Sequence, residues 1–220
     1  MNFDTVSTVA DRLEKCYSGA VHDVLRTMGR TGLVLPHDIN PLDPSRRLAG
    51  PMYTFAGHFQ EGMDEHETLL EWTQMLTVAP SGCVLVCQPN NGTVSHMGEL
   101  SAETLQLRGI RGYIVDGGCR DVEFVVGIGF RVFCKYTTPR DVVGCWMPHR
   151  FGEPVRIGSV LMNTGDWVVA DRDGVVVIPG GIVDEVVEEA ERVMQTESMV
   201  RRAILDGMDP KDAYLKYGKF

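Results

Sequence analysis

The period of the hydrophobic pattern changes repeatedly along this chain, and each change marks an element. Asp4 can cap a first helix that runs to about Cys16. Ser18-Gly19 restarts a second, AVHDVLRTMG, which Gly29 ends. The Pro-rich segment LPHDINPLDPSRRLAGP must be extended or turning. PMYTFAG then reads as a strand, and EGMDEHETLLEWTQML as a helix with Leu69, Leu70 and Met75 on or near its buried side. CVLVCQ is a continuous apolar run of strand length, which predicts a strand covered on both faces. After the loop QPNNGTVSHMG come a helix from Glu99 to Arg108, a buried strand in GYIVDGG, a short helix begun by CRDVEFVVGIGF, and the strand RVFCKY. Arg172-Asp173-Gly174 between two valine-rich runs signals a hairpin. From Gly181 the pattern is helical again, and KDAYLKYGKF reads as a short exposed helix. Strands alternate with helices through residues 50–135 and a hairpin follows, so the fold class is α/β with mixed sheets.

Composition narrows the functional classes. A chain of 220 residues, 44% hydrophobic and 23% charged, fits one globular domain over residues 1–220. No repeat, linker or low-complexity segment divides it. The net charge of −9 counts against nucleic acid or an anionic membrane as partner, because both need clustered positive charge. The N-terminus has neither the basic start nor the apolar run of a signal peptide, and no stretch is apolar enough to span a bilayer, so a cytoplasmic location is expected. Cysteines 16, 83, 87, 119, 134 and 145 lack zinc-ribbon or redox spacing and read as reduced thiols, with Cys83 and Cys87 in or beside a core strand.

Candidate chemistry is concentrated between Gly98 and Asp121. The helix beginning at Glu99 leaves its first backbone N–H groups unpaired, and Gly98 permits close approach, so an anion can sit against the amides of Gly98, Glu99, Leu100 and Ser101. An ordinary helix start, with Glu99 favoured by the dipole, accounts for the same residues. Downstream, Asp116-Gly117-Gly118 closes a strand in a tight turn that leads into Arg120-Asp121. Loops at strand ends are where catalytic groups are held rigidly and yet remain open to ligand. Arg120 offers a planar fork for a carboxylate or an enolate oxygen, and Asp121 a hard oxygen for a Mg2+-like ion. A structural ion pair with an Asp cap is the competing explanation.

Glu99, twenty intervening residues and then Arg120-Asp121 resembles the signature of the RraA-like family, which includes class II 4-hydroxy-4-methyl-2-oxoglutarate / 4-carboxy-4-hydroxy-2-oxoadipate aldolases. SGAVHDVLRTMG, RRLAGPMYTFAG and DGVVVIP extend the likeness over about residues 18–205. The resemblance implies a layered β/β/α domain of the phosphohistidine swivelling type. It implies a divalent-metal-dependent aldolase, with Mg2+ or Mn2+ as cofactor, that cleaves a 4-hydroxy-2-keto dicarboxylic or tricarboxylic acid to release pyruvate and also decarboxylates oxaloacetate. Gly98 to Ser101 and Arg120 would bind the keto acid, Asp121 would ligate the metal, and Glu99 would orient its water shell. It further implies a homotrimer or a dimer of trimers whose C-terminal helices pack on a neighbouring subunit. Glu197 of that neighbour would reach the metal's waters, with Glu191 as the alternative. Some family members are instead protein-binding regulators that inhibit a ribonuclease, and the acidic balance is compatible with that.

Lysine usage bears on the mechanism independently. A Schiff-base aldolase needs a buried lysine. Of the five lysines, 211, 216 and 219 lie in the terminal tail, Lys15 on an amphipathic helix, and only Lys135 ends an interior strand run. Other polar residues read as structural or peripheral. His96 reads as a polar loop residue with a possible role in the pocket, and His22 and Asp23 as packing groups. His58, His66 and His149 are too separated to suggest zinc. Asn90 or Asn91 can line the site, and Arg46-Arg47 reads as a solvated patch. The segments Gln60–His66 and Pro139–Gly152 are expected to shape specificity.

Overall fold

A computed structural model of the chain describes residues 3–220, with side chains from residue 8 onward, so the Asp4 cap lies outside the described side chains. Helices α1 (Phe3–Lys15) and α2 (Ser18–Thr27) come first, then β1 (Asn40–Pro41) and the long β2 (Leu48–Phe59). Helix α3 (Glu65–Val78) starts where the Asp64 carboxylate accepts the Glu67 N–H, and β3 (Val84–Gln88) follows it. Next come α4 (Glu99–Leu107), β4 (Gly112–Val115), β5 (Gly118–Cys119), α5 (Val122–Gly127), β6 (Val132–Cys134) and β7 (Tyr136–Thr137). Strands β8 (Trp146–His149), β9 (Val155–Ile157), β10 (Val160–Met162), β11 (Trp167–Asp171) and β12 (Gly174–Ile178) lead into α6 (Val183–Leu205) and α7 (Pro210–Tyr217).

Eight strands form one mixed sheet in the order β1-β6-β4-β3-β2-β11-β12, with β8 also paired to β2. The central strands β2, β3, β4 and β6 run parallel. Strand β2 is the hinge of the architecture. Its start pairs with β11, its middle with β3 and its end with β8. At that last crossing Gly57 lies against the Trp146 ring, where a Cβ would come within 1.9 Å of it.

Three apolar layers follow from the strand period of two. Leu85 and Cys87 face α3, α4 and α5, packing with Trp72, Met75, Ala102 and Val125. Val84 and Val86 face the opposite way, onto Val168 and Val177 of the β11–β12 hairpin and Ile157 and Val160 of the β9–β10 hairpin. The far side of β11–β12, with Trp167, Val169 and Val176, is covered by α1, α2 and the first half of α6 through Leu13, Val24 and Val187. The layered α/β reading of the sequence, with CVLVCQ covered on both faces, is therefore what the chain adopts.

Two details differ from the sequence reading and a third refines it. Leu69 and Leu70 are exposed, because the register of α3 turns Thr68, Trp72, Met75 and Leu76 inward. Strands β8, β9 and β10 carry too few alternating residues to stand out in the sequence. Arg46 and Arg47 are solvent-exposed as read, but each also has a local partner: Arg46 pairs with Asp43 at 3.2 Å and Arg47 donates to the Lys15 carbonyl at 2.8 Å. All six cysteines are buried and unbridged, with Cys87 in β3 and Cys83 just before it, as read.

Candidate active site

Strands β3 and β4 are parallel neighbours, so the loops leaving their C-terminal ends meet at one edge. Backbone bonds then join the two loops. The His96 N–H donates to the Gly118 carbonyl at 2.8 Å, and the Arg120 N–H to the Met97 carbonyl at 2.9 Å. The Glu99 N–H, at the start of α4, donates to Asp121 Oδ2 at 3.0 Å. Asp121 is itself in the left-handed region at φ 55°, which aims its carboxylate back at α4. Glu99, Arg120 and Asp121 thus come together across the twenty intervening residues.

Gly98 has a more specific role than ligand access. A Cβ there would lie 2.7 Å from Asp121 Oδ2 and 3.1 Å from Arg120 Nε. Its bareness lets the arginine and the aspartate pack against the start of α4. Arg120 Nε lies 3.5 Å from Asp121 Oδ2, and Arg120 Nη1 3.2 Å from Asp141 Oδ2. Asp141 was not singled out in the sequence. Its segment, Pro139–Gly152, is expected to shape specificity, but no spacing marks the residue. Both structural explanations are partly right as well: Arg120-Asp121 is an ion pair, and Asp121 caps a helix, though α4 and not the α5 that follows it.

These residues open onto a cleft of about 480 Å3, within the range of small-molecule sites. Gly98, Glu99, Leu100, Ser101, Arg120, Asp121 and Asp141 line it. The Ser101 hydroxyl accepts the Trp72 Nε1–H at 2.8 Å, tying α3 to α4, and the Leu100 side chain is exposed. A larger hollow of about 920 Å3 lies between α6 and α7 and holds none of these residues.

His96 departs from its sequence reading. It is fully buried with an edge-on contact to Trp146, and neither ring nitrogen has a hydrogen-bond partner. Burial pushes its pKa down to about 3, so the imidazole is neutral. It lines the cleft together with Ser95, whose hydroxyl is also buried and unpartnered. Asn90 and Asn91 do not line the cleft; Asn90 donates to the Gly57 carbonyl and Asn91 accepts from the Thr93 N–H. Lys135 is held by Asp116 at 2.6 Å and Asp38 at 3.4 Å, outside the cleft lining. Burial pulls its pKa down, but the two carboxylates outweigh that and raise it, opposite to what a Schiff-base lysine needs.

Glu197 and Glu191 lie on α6, outside the cleft lining. Glu197 accepts from the Tyr17 hydroxyl and lies 3.6 Å from Lys219 Nζ, and Glu191 pairs with Arg12 at 2.7 Å. Among the described residues no three His, Cys, Asp or Glu side chains cluster to hold a metal by themselves, and no helix is long and apolar enough to cross a membrane.

A layered α/β domain with an acid–arginine–aspartate cleft at parallel strand ends defines the class of protein. The chain belongs to the RraA-like family, described as Aldolase/RraA, whose model matches residues 18–177. It is 29% identical to protein DlpA of Legionella pneumophila over 97% of this chain, and it spans about a third (34%) of that protein's length. It is 27% identical to the "Putative 4-hydroxy-4-methyl-2-oxoglutarate aldolase" of Halalkalibacterium halodurans, over 83% of each chain. Its fold is similar to Streptomyces coelicolor RraAS2, described as an unusual member of the RNase ES inhibitor RraA protein family. That likeness has a TM-score of 0.76 at 28% identity and covers 88% of this chain and 96% of the other.

Proposed function

We propose that this protein is a divalent-metal-dependent aldolase that cleaves a 4-hydroxy-2-keto acid to release pyruvate and decarboxylates oxaloacetate at the same site. The observation that carries the reading is the assembly of Glu99, Arg120 and Asp121 around one cleft by the bonds between the β3 and β4 loops. The aldolase name of the Halalkalibacterium halodurans relative supports it.

The donor set suits Mg2+ or Mn2+. Glu99 N and Arg120 Nε both engage Oδ2 of Asp121, so Oδ1 is the atom that would ligate the cation. One or two carboxylates completed by water and substrate is the usual arrangement for such an ion. When bound, it supplies Lewis-acid stabilisation of negative charge on the keto acid oxygens. The Arg120 fork binds the 2-keto carboxylate end. When the C3–C4 bond breaks, its electron pair stays on C3 as pyruvate enolate, and Arg120 stabilises the developing charge. The C4 hydroxyl gives up its proton and becomes the carbonyl of the second product, with Glu99 orienting the water that takes it. Protonation of C3 completes pyruvate. Decarboxylation of oxaloacetate leaves the same enolate, so one site serves both reactions. Asp141 holds the guanidinium from its other side and so positions the fork.

A coupled pyruvate assay tests the reading. Turnover of oxaloacetate and of 4-hydroxy-2-keto acids should require Mg2+ or Mn2+, and Arg120→Ala and Asp121→Ala should each lower kcat by about 10²-fold or more. Turnover that is insensitive to chelator or to both substitutions refutes it. The likeness to RraAS2 and the net charge of −9 favour one other reading, a protein-binding regulator of ribonuclease activity. A pull-down with RNase E-type partners, together with an absence of pyruvate release, would select that reading instead.

A further inference from the structure

Four hydroxyl side chains line the cleft, those of Thr73, Ser95, Ser101 and Thr104, and their hydrogen bonds set them apart. Thr73 donates to the Leu70 carbonyl at 2.9 Å and Thr104 to the Leu100 carbonyl at 2.7 Å, so both protons are spent on the helix that carries them. The Ser95 hydroxyl is buried without a partner and is free to turn. Ser101 alone is held from outside its own helix. Its oxygen accepts the Trp72 Nε1–H at 2.8 Å, and a serine oxygen that accepts in this way still has its own proton to give. The indole keeps that oxygen out of the back-bonded arrangement that the two threonines adopt.

The local geometry says where the proton goes. Ser101 lies in the first turn of α4, and the Cα–Cβ bond of a helical residue tilts toward the helix N-terminus. That end of α4 is where Glu99, Arg120 and Asp121 meet. Trp72 can hold the serine because its own ring is fixed. It is only 7% exposed and stands edge-on to Trp146 at 5.9 Å between centroids, and Trp146 in turn donates to the Pro89 carbonyl at 2.8 Å. All of these groups belong to one chain and most are buried, so a neighbouring subunit that closes the cleft would leave the relay in place.

Resting on the aldolase reading, we propose that Trp72 is a positioning residue for the reaction: its indole N–H fixes the Ser101 hydroxyl so that the hydroxyl donates to an oxygen of the keto acid bound at the start of α4. The tryptophan acts through the serine. Its removal therefore matters only while the serine hydroxyl is present.

The test uses Trp72→Phe, which keeps an aromatic ring against Trp146 and removes the N–H, together with Ser101→Ala and the double variant. The probe is oxalate with Mg2+, a planar dianion shaped like the pyruvate enolate, and its binding is measured by isothermal titration. Ser101→Ala should weaken binding at least about tenfold and Trp72→Phe at least about threefold, the range for a hydrogen bond to a charged group. The double variant should bind within about twofold of Ser101→Ala, because the two residues act as a unit. Additive losses, unchanged affinity in either single variant, or no binding of oxalate to the parent overturns the proposal. A second readout needs no Trp72 variant to be well packed. The indole N–H resonance of Trp72, one of three in the chain, should move when oxalate saturates the parent and should respond less in Ser101→Ala. A response of equal size in both would show that the ligand reaches the ring directly and would also overturn it. Coupled binding losses without any turnover of keto acid sink the aldolase reading and leave the positioning role standing. Turnover that depends on Arg120 and Asp121, with oxalate binding unaltered in the Trp72 and Ser101 variants, sinks the positioning role alone.

Discussion

Single atoms decide the geometry of this cleft. The absent side chain of Gly98 leaves the space in which Asp121 and Arg120 meet α4. Gly98→Ala should therefore displace the flexible ends of both side chains and leave the fold intact. The expected result is a melting temperature close to that of the parent, with kcat/KM lowered by up to about a hundredfold, the cost of misplacing catalytic groups by an ångström. His96 makes a second prediction at this scale. Its pKa is about 3 in the folded protein and near 6.5 in the unfolded chain. Between those values the unfolded chain binds the extra proton, so stability falls as pH drops below 6.5, by up to ~1.4 kcal/mol per pH unit. Urea midpoints measured from pH 7 to pH 5 should fall more steeply for the parent than for His96→Leu. Parallel profiles would mean that the ring is solvated in solution.

At the scale of elements, the structure is tied together where layers change. Asp171 ends β11 almost fully buried, and its carboxylate accepts the Ser18 N–H at 2.8 Å, the Ser18 hydroxyl at 2.7 Å and the Asp173 N–H at 3.0 Å. One side chain thereby fixes the start of α2 and the turn of the late hairpin. Asp171→Ala should cost about 2–3 kcal/mol, since it strands buried donors that had a charged acceptor. Chemical denaturation measures this, and a loss below ~0.5 kcal/mol would show that water replaces the carboxylate. The elements most legible in the sequence were those with strong local signals. The continuous apolar run of β3, the Asp-capped α3 and the valine-rich hairpin are examples. The burial of Leu69 and Leu70 was misread because both sit beside the buried stripe of α3, and a helix rotated by one residue fits the same pattern nearly as well. The β9–β10 hairpin is stabilised by its contact with the second layer and has little local signal of its own.

At the scale of the molecule, α6 carries the prediction that reaches beyond one chain. Its first half packs on this chain through Val183, Val186, Val187 and Ala190. Glu197, further along, is bound by Tyr17 and Lys219 and lies outside the cleft lining. If a neighbouring subunit's α6 completes the site, the protein is a trimer or a dimer of trimers in solution. Arg120→Ala and Glu197→Ala proteins, each inactive alone, should then regain partial pyruvate release when their subunits are mixed and reassembled. A monomer by light scattering, or no complementation in an assembled mixture, contradicts shared sites.

The sequence by itself determined the α/β class, the order of the main elements and the membership of Glu99, Arg120 and Asp121 in one motif. The class and the order of elements are written in local periodicity and turn chemistry, and the resemblance to a family signature is what joined the three residues. Tertiary structure alone decided that Asp141 flanks Arg120, that His96 is buried and neutral, and that Trp72, Leu76 and Val142 line the same cleft. Each depends on which side chains converge from segments remote along the chain, and on how much water their packing excludes. Neither convergence nor exclusion of water has a signature in the order of residues.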